Sequence, residues 1–379
     1  MAHLDTAPLH STPPGETTGE GRPEHAPEDH PAVRSARVGV LIANLGTPDN
    51  TDYWSVRRYL SEFLSDQRVV DYPRWLWQPL LQLVILSRRP FISGEAYRSV
   101  WNREQNESPL LTTTRQQANK LAATLESRFG EGVAVAYGMR YGNPSTDSAV
   151  RELQARGCQR ILFFPLYPQY ASPTTATACD QFFRSLMKLK WQPAARTVPA
   201  YFEHESYMRA LAASVRDALG ENGLDDEGLG DNQPVAKDAA PSVLVASYHG
   251  VPKRFLRDGD PYYCQCCKTS RLLAEALGLD EQRLVTTFQS KFGPEEWVGP
   301  ATVDKVAELA RAGHRHIAVL SPAFATDCVE TLEEIQQEIR DSFMAAGGER
   351  FTYIPCLNDR DDHITALADI AAGELAGWL

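Results

Sequence analysis

Two stretches of this sequence, 156 residues apart, carry one string without a gap: Val150-x-Glu152-Leu153-x-x-x-Gly157-x-x-x-Ile161 recurs as Val306-x-Glu308-Leu309-x-x-x-Gly313-x-x-x-Ile317. Each copy reads as a helix that stops at a glycine and feeds a strand; the shared order implies two similar α/β halves. Upstream, Arg140-Tyr141-Gly142-x-Pro144 faces Lys291-Phe292-Gly293-Pro294 at a similar spacing. Short aliphatic runs at 38–45, 133–137 and 161–165, then at 243–246, 284–288 and 317–320, read as buried strands with helical patterns between them. That alternation predicts parallel sheets with crossover helices. The expected division is a disordered tail over 1–36, a first half over 37–150 and a second half over 151–370. A flexible insertion is expected at 220–241, where Gly, Asp, Asn and Ala crowd together.

In open α/β sheets ligands bind beyond the carboxyl ends of the strands, and two facing halves would enclose a cleft there. Polar residues gather at those ends: Asn44, Arg140 and Tyr141, Tyr167 and Gln169, His249, Gln289, and Asp327 with Glu330. A formal charge of -11 excludes a dominant basic face, so no nucleic-acid partner is expected. Seven cysteines, mostly scattered, fit free thiols in a reducing compartment. The tail has neither the basic nor the apolar region of a secretory signal, so cytoplasmic placement follows. Segment 75–87, WLWQPLLQLVILS, is too short to span a bilayer. It reads as a core helix or as an apolar lip that touches the inner membrane peripherally or admits a greasy substrate.

His249 follows a buried strand and precedes Gly250 and Pro252, so a sharp turn should present its ring at the cleft, as a proton acceptor or metal ligand. A ring satisfied by a backbone carbonyl is the plainer alternative. On the helix after residue 326, Asp327, Glu330 and Glu334 fall at i, i+3 and i+7, which stacks three carboxylates on one face. Asp327 with Glu330 also fits a capping box, with Glu334 at the surface. Cys264, Cys266 and Cys267 form a C-x-C-C group, either cluster ligands or reduced thiols on a loop.

Six motifs in order then resemble those of the ferrochelatases: LIANLGTP (41–48), GMRYGNP (138–144), FPLYPQYA (164–171), SYHGVPK (247–253), FQSKFGPEEWVGP (288–300) and SPAFATDCVETLEEI (321–335). The resemblance implies two Rossmann-like, chelatase-type domains with a porphyrin clamped between them, and insertion of ferrous iron with loss of two protons. His249 resembles the family's proton acceptor or iron holder, Glu330 the carboxylate facing it, and Asp327 and Glu334 an acidic path outward. Arg140 and Tyr141 match the opposite side of the macrocycle, and Tyr167 and Trp297 the aromatic walls. Arg89 and Ser108 resemble propionate contacts, and Leu45 and Phe324 lie inside two of the motifs. Some relatives carry a [2Fe-2S] cluster, for which Cys264, Cys266 and Cys267 are the candidate ligands here. Cys328 stands where many animal members have a second histidine. Leu45 stands where coproporphyrin-using members place a tyrosine, which favours protoporphyrin IX. Coproporphyrin III, or a non-catalytic tetrapyrrole or metal carrier, are the alternatives.

Overall fold

The computed structural model describes residues 37–220, 241–280, 282–293 and 295–379. The expected tail, all but the two end residues of the expected insertion, and Pro294 of the upstream string lie outside the described residues.

In the first half, β1 (Arg37–Thr47) leads through α1 (Tyr53–Leu64), α2 (Arg74–Leu80), α3 (Leu86–Val100) and α4 (Pro109–Phe129) to β2 (Val133–Gly142). Then come α5 (Thr146–Ala155), β3 (Cys158–Pro165), α6 (Thr177–Met187), β4 (Ala194–Thr197) and α7 (Glu205–Leu219). The second half runs β5 (Val243–His249), α8 (Lys253–Arg257), α9 (Tyr262–Leu277), β6 (Leu284–Gln289), α10 (Thr302–Arg311) and β7 (His316–Leu320). It closes with α11 (Val329–Leu332), a π-helical segment (Glu334–Ile339), α12 (Arg340–Ala345), β8 (Arg350–Tyr353) and α13 (Asp361–Leu375).

Two four-stranded parallel sheets result, ordered β2-β1-β3-β4 and β6-β5-β7-β8. The repeated string is α5 into β3 in one sheet and α10 into β7 in the other, and Gly157 and Gly313 turn with φ of 83° and 99°. Such values suit a residue without Cβ. The expected boundary at 150/151 is corrected, because it cuts α5, while β3 and β4 pair with the first sheet. The C-terminal helix α13 also packs back on α4 and α7. The edge strands β4 and β8 escaped notice because AART and RFTY are half exposed and carry no apolar run.

Register makes the two halves superimposable by residue. Leu41 lies between Ala136 and Phe163, as Val245 lies between Val285 and Val319. Four residues further on, Leu45 in the first half corresponds to His249 in the second, and Arg140 to Gln289. One step beyond, Tyr141 corresponds to Ser290. The counterpart of Pro144 is Pro300, since Met139 N–H donates to Pro144 O (2.7 Å) and Phe288 N–H to Pro300 O (2.9 Å). The second half therefore carries a longer excursion here, and it is this loop that bears Trp297.

Because both faces of each sheet are covered, the central strands are apolar until their carboxyl ends, where Asn44, Ser247 and His249 stand. Val40 and Ile42 of β1 share one core with Leu244 and Ala246 of β5, while Leu41 and Ala43 face helices α5 and α6 through Ala149, Leu153 and Phe182. The shared core holds the two sets of strand ends in a fixed relation.

Candidate active site

At the end of β5 the Nδ1 of His249 lies 2.7 Å from Gly250 O. A carbonyl only accepts, so Nδ1 carries the hydrogen, and in the neutral ring Nε2 presents its lone pair. The carbonyl-satisfied ring and the chemically competent ring are thus one arrangement. Gly250 serves a close approach: a Cβ there would come within 3.0 Å of the Trp297 ring. Trp297 stacks obliquely on Phe292 at 5.2 Å, and Phe292 lies 5.7 Å under the guanidinium of Arg89 from α3.

Beside His249 sits Glu334, held by the end of β6. Its carboxylate accepts from Ser290 N (2.6 Å), Ser290 Oγ and Gln289 Nε2 (3.4 Å), and the same Gln289 nitrogen donates to Glu330 O at 2.7 Å. Ser290 adopts a φ of 62° to aim both donors. Burial pushes the Glu334 carboxyl above its ordinary 4.5; the Ser290 bonds and the His249 charge oppose this, and the Glu330 charge reinforces it. Glu330 in turn raises the buried phenols of Tyr59 and Tyr97 in the first half, where burial acts first. His249, Glu330 and Glu334 are therefore one electrostatic group facing the other half.

Asp327 does not join them, and the three-carboxylate column is corrected. Its Oδ1 accepts from Thr331 Oγ1 (3.1 Å), Tyr353 OH and Cys356 N (3.2 Å), and its Oδ2 from Asn358 Nδ2 (2.7 Å). The helix begins one residue later, with Cys328 as N-cap in a capping box with Thr331. It then widens into the π segment, where Glu338 N–H reaches Glu333 O (3.3 Å), so α-helical spacing no longer predicts which carboxylates align.

The opposite wall is built from the first half. Arg140 is 7% exposed, its Nε donates to Thr177 Oγ1 at 2.6 Å, its Nη2 donates to Asp66, and its guanidinium carbon lies 4.1 Å from the Tyr141 ring centre. Tyr141 OH donates to the same Asp66 oxygen at 3.0 Å, as does Thr177 Oγ1. Burial acts to raise the Asp66 carboxyl, but hydrogen bonds from Thr177 and the Arg68 amide and the Arg140 charge hold it below its ordinary 3.8. Leu45 is half-buried beside Tyr141 and Tyr167, and Tyr167 OH is buried with no hydrogen-bond partner among the described residues. Phe324 packs with Leu110, Met139 and Cys328. Beside this wall lies a cavity of about 360 Å3, lined by Gln67, Arg68 and Tyr170 from one half and Phe255 and Asp260 from the other.

Ser108 is given a different task from the one expected. It is 2% exposed and caps α4, its Oγ accepting from Leu111 N at 3.2 Å. The cysteine group does not fit a cluster: Cys264, Cys266 and Cys267 lie on α9, not on a loop, with Cys264 exposed and Cys266 buried. Burial pushes the Cys266 thiol well up, and among the described residues no three His, Cys, Asp or Glu side chains are grouped to hold a metal. Sequence reasoning missed Asp66, Thr177, Ser290, Tyr59 and Tyr97; a lone aspartate after α1 carries no spacing signal, because its side-chain partners lie 74 or more residues away.

The family model described as Ferrochelatase matches residues 37–375. The chain belongs to the ferrochelatase family. It is 61% identical over 356 residues to the ferrochelatase of Rhodobacter capsulatus, covering 94% of this chain and 97% of that one. To the ferrochelatase of Chelativorans sp. it is 51% identical, covering 93% and 95%. In fold it resembles SirB from Bacillus subtilis with Fe3+, with a TM-score of 0.51 at 10% identity, covering 90% of this chain and 97% of that chain. The chain is thus a lyase of heme biosynthesis with a chelatase-type fold that inserts iron into a porphyrin. No helix among the described residues is long and apolar enough to cross a membrane.

Proposed function

We propose that the porphyrin is protoporphyrin IX, that it lies between Leu45 and His249, and that its two pyrrole protons leave through the second half. The single observation that carries this reading is the His249 ring, whose Nδ1 is held on Gly250 O beside a carboxyl raised by burial. The Nε2 lone pair takes a pyrrole proton, and Glu330 and Glu334 pass it toward solvent along the π segment. Ferrous iron then takes the vacated nitrogen lone pairs, so charge balances as two protons leave and one dication enters. Imidazole and carboxylate release Fe2+ more readily than thiolates would. Leu45, Tyr167 and Trp297 supply apolar and aromatic walls for a flat ring.

Leu45 supports protoporphyrin over coproporphyrin: it offers no hydroxyl to the macrocycle face, and four propionates would need more polar contacts than this half-buried wall presents. Parallel assays of porphyrin fluorescence loss with Fe2+ test it. Protoporphyrin IX should be metallated with the higher kcat/KM; faster turnover of coproporphyrin III would overturn the assignment.

The same reading includes a peripheral contact of a cytoplasmic enzyme with the inner membrane. Trp75, Leu83 and Ile92 on the α2–α3 lip are 78%, 76% and 72% exposed, and Arg74 and Arg88 flank them. That combination suits an anionic bilayer surface. Co-sedimentation with phosphatidylglycerol vesicles should fall several-fold in a Trp75→Glu, Leu83→Glu variant. Unchanged binding would exclude the lip.

A further inference from the structure

Superposing the halves by register reveals a correspondence at the two strand ends. In the second half, the consecutive residues Gln289 and Ser290 grip the carboxylate of Glu334. In the first half their counterparts, Arg140 and Tyr141, grip the carboxylate of Asp66. Each pole of the cleft therefore holds one carboxylate, but the grips differ in charge. Gln289 and Ser290 are neutral donors, whereas Arg140 brings a full positive charge that is 7% exposed.

We propose that Asp66 is a positioning residue for the reaction: by neutralising Arg140 it keeps the first-half wall of the cleft from repelling a divalent cation. Three donors converge on one oxygen of Asp66, so it also fixes the plane of the guanidinium over Tyr141. Glu62 is the other acid near Arg140, at 3.9 Å, and it is 51% exposed, so solvent screens it. An unpaired guanidinium in this wall would oppose Fe2+ while attracting the anionic propionates. Its effect on the two substrates would have opposite signs, which a loss of fold would not.

The inference rests on the cleft being the porphyrin site, and steady-state kinetics in both substrates separate the two ideas. With Zn2+ or Fe2+ as varied metal, Asp66→Asn should raise the metal KM about tenfold, leave the porphyrin KM unchanged or lower, and recover part of the loss in about 0.5 M salt. Arg140→Gln should shift the metal KM the other way, and the double variant should return it to within about threefold of the parent. A metal KM that rises in both single variants, or an Asp66→Asn effect undiminished in the Arg140→Gln background, would overturn the proposal. Should Asp66→Asn not fold, the sign of the Arg140→Gln shift still decides. If neither variant moves either KM, the cleft itself has been misassigned.

Discussion

The first-half and second-half ends of the cleft share a backbone plan and differ in how each holds its carboxylate. Asp66 is bound by four donors, one of them cationic, and is held below its ordinary value. Its contribution to stability is present above pH 3.8 and is lost as pH falls through the lower native value. Glu334 is held by neutral donors and raised by burial. Its contribution runs the other way, present below pH 4.5 and lost as pH rises through the raised native value. Two similar halves thus hold an ion pair at one pole and a carboxyl raised by burial at the other. The lesson is that burial and the set of donors at each pole, and not the shared backbone plan, set the direction in which its carboxyl is moved.

The largest expected effect separates the paired positions His249 and Leu45. His249→Ala should lower kcat for metal insertion about 100-fold or more, while Leu45→Ala should change it less than about tenfold, because only the imidazole carries a proton. Comparable losses in both would break the contrast between the halves. Next comes Asp327, which lies in the second half but outside its proton group. Asp327→Ala should destabilise the fold by about 3 kcal/mol, read by denaturant melts, since four donors, two of them in buried bonds, lose their acceptor. The surviving folded fraction should keep its pH–rate profile; an altered profile would restore Asp327 to the proton path. A smaller effect is expected at Ser290, where Ser290→Ala removes one of the Glu334 bonds that lower its carboxyl. The acid limb of the rate profile should then move to higher pH, and a move to lower pH would contradict the assigned cause.

Much of this was legible beforehand, for identifiable reasons. The gapless string containing Gly157 and Gly313 marked α5–β3 and α10–β7 because helix stop and strand start are local features. Placing His249 and Glu330 at strand ends followed from the rule for parallel sheets. The boundary between halves was misjudged because it depends on β3 crossing back to β1, a non-local pairing. Asp327 was misread because a π segment and an N-cap at Cys328 reset the helical phase. Ser108 also caps a helix, which its neighbour Pro109, opening α4, makes legible.

The proton-releasing role of the second half is tested most directly by the pH dependence of kcat for iron insertion in the parent, Glu334→Gln and Asp66→Asn. The parent should lose activity as pH falls through the raised carboxyl of Glu334. Glu334→Gln should lack that acid limb, and Asp66→Asn should retain it. An acid limb that survives in Glu334→Gln and disappears in Asp66→Asn would place proton release at the opposite pole and contradict the account.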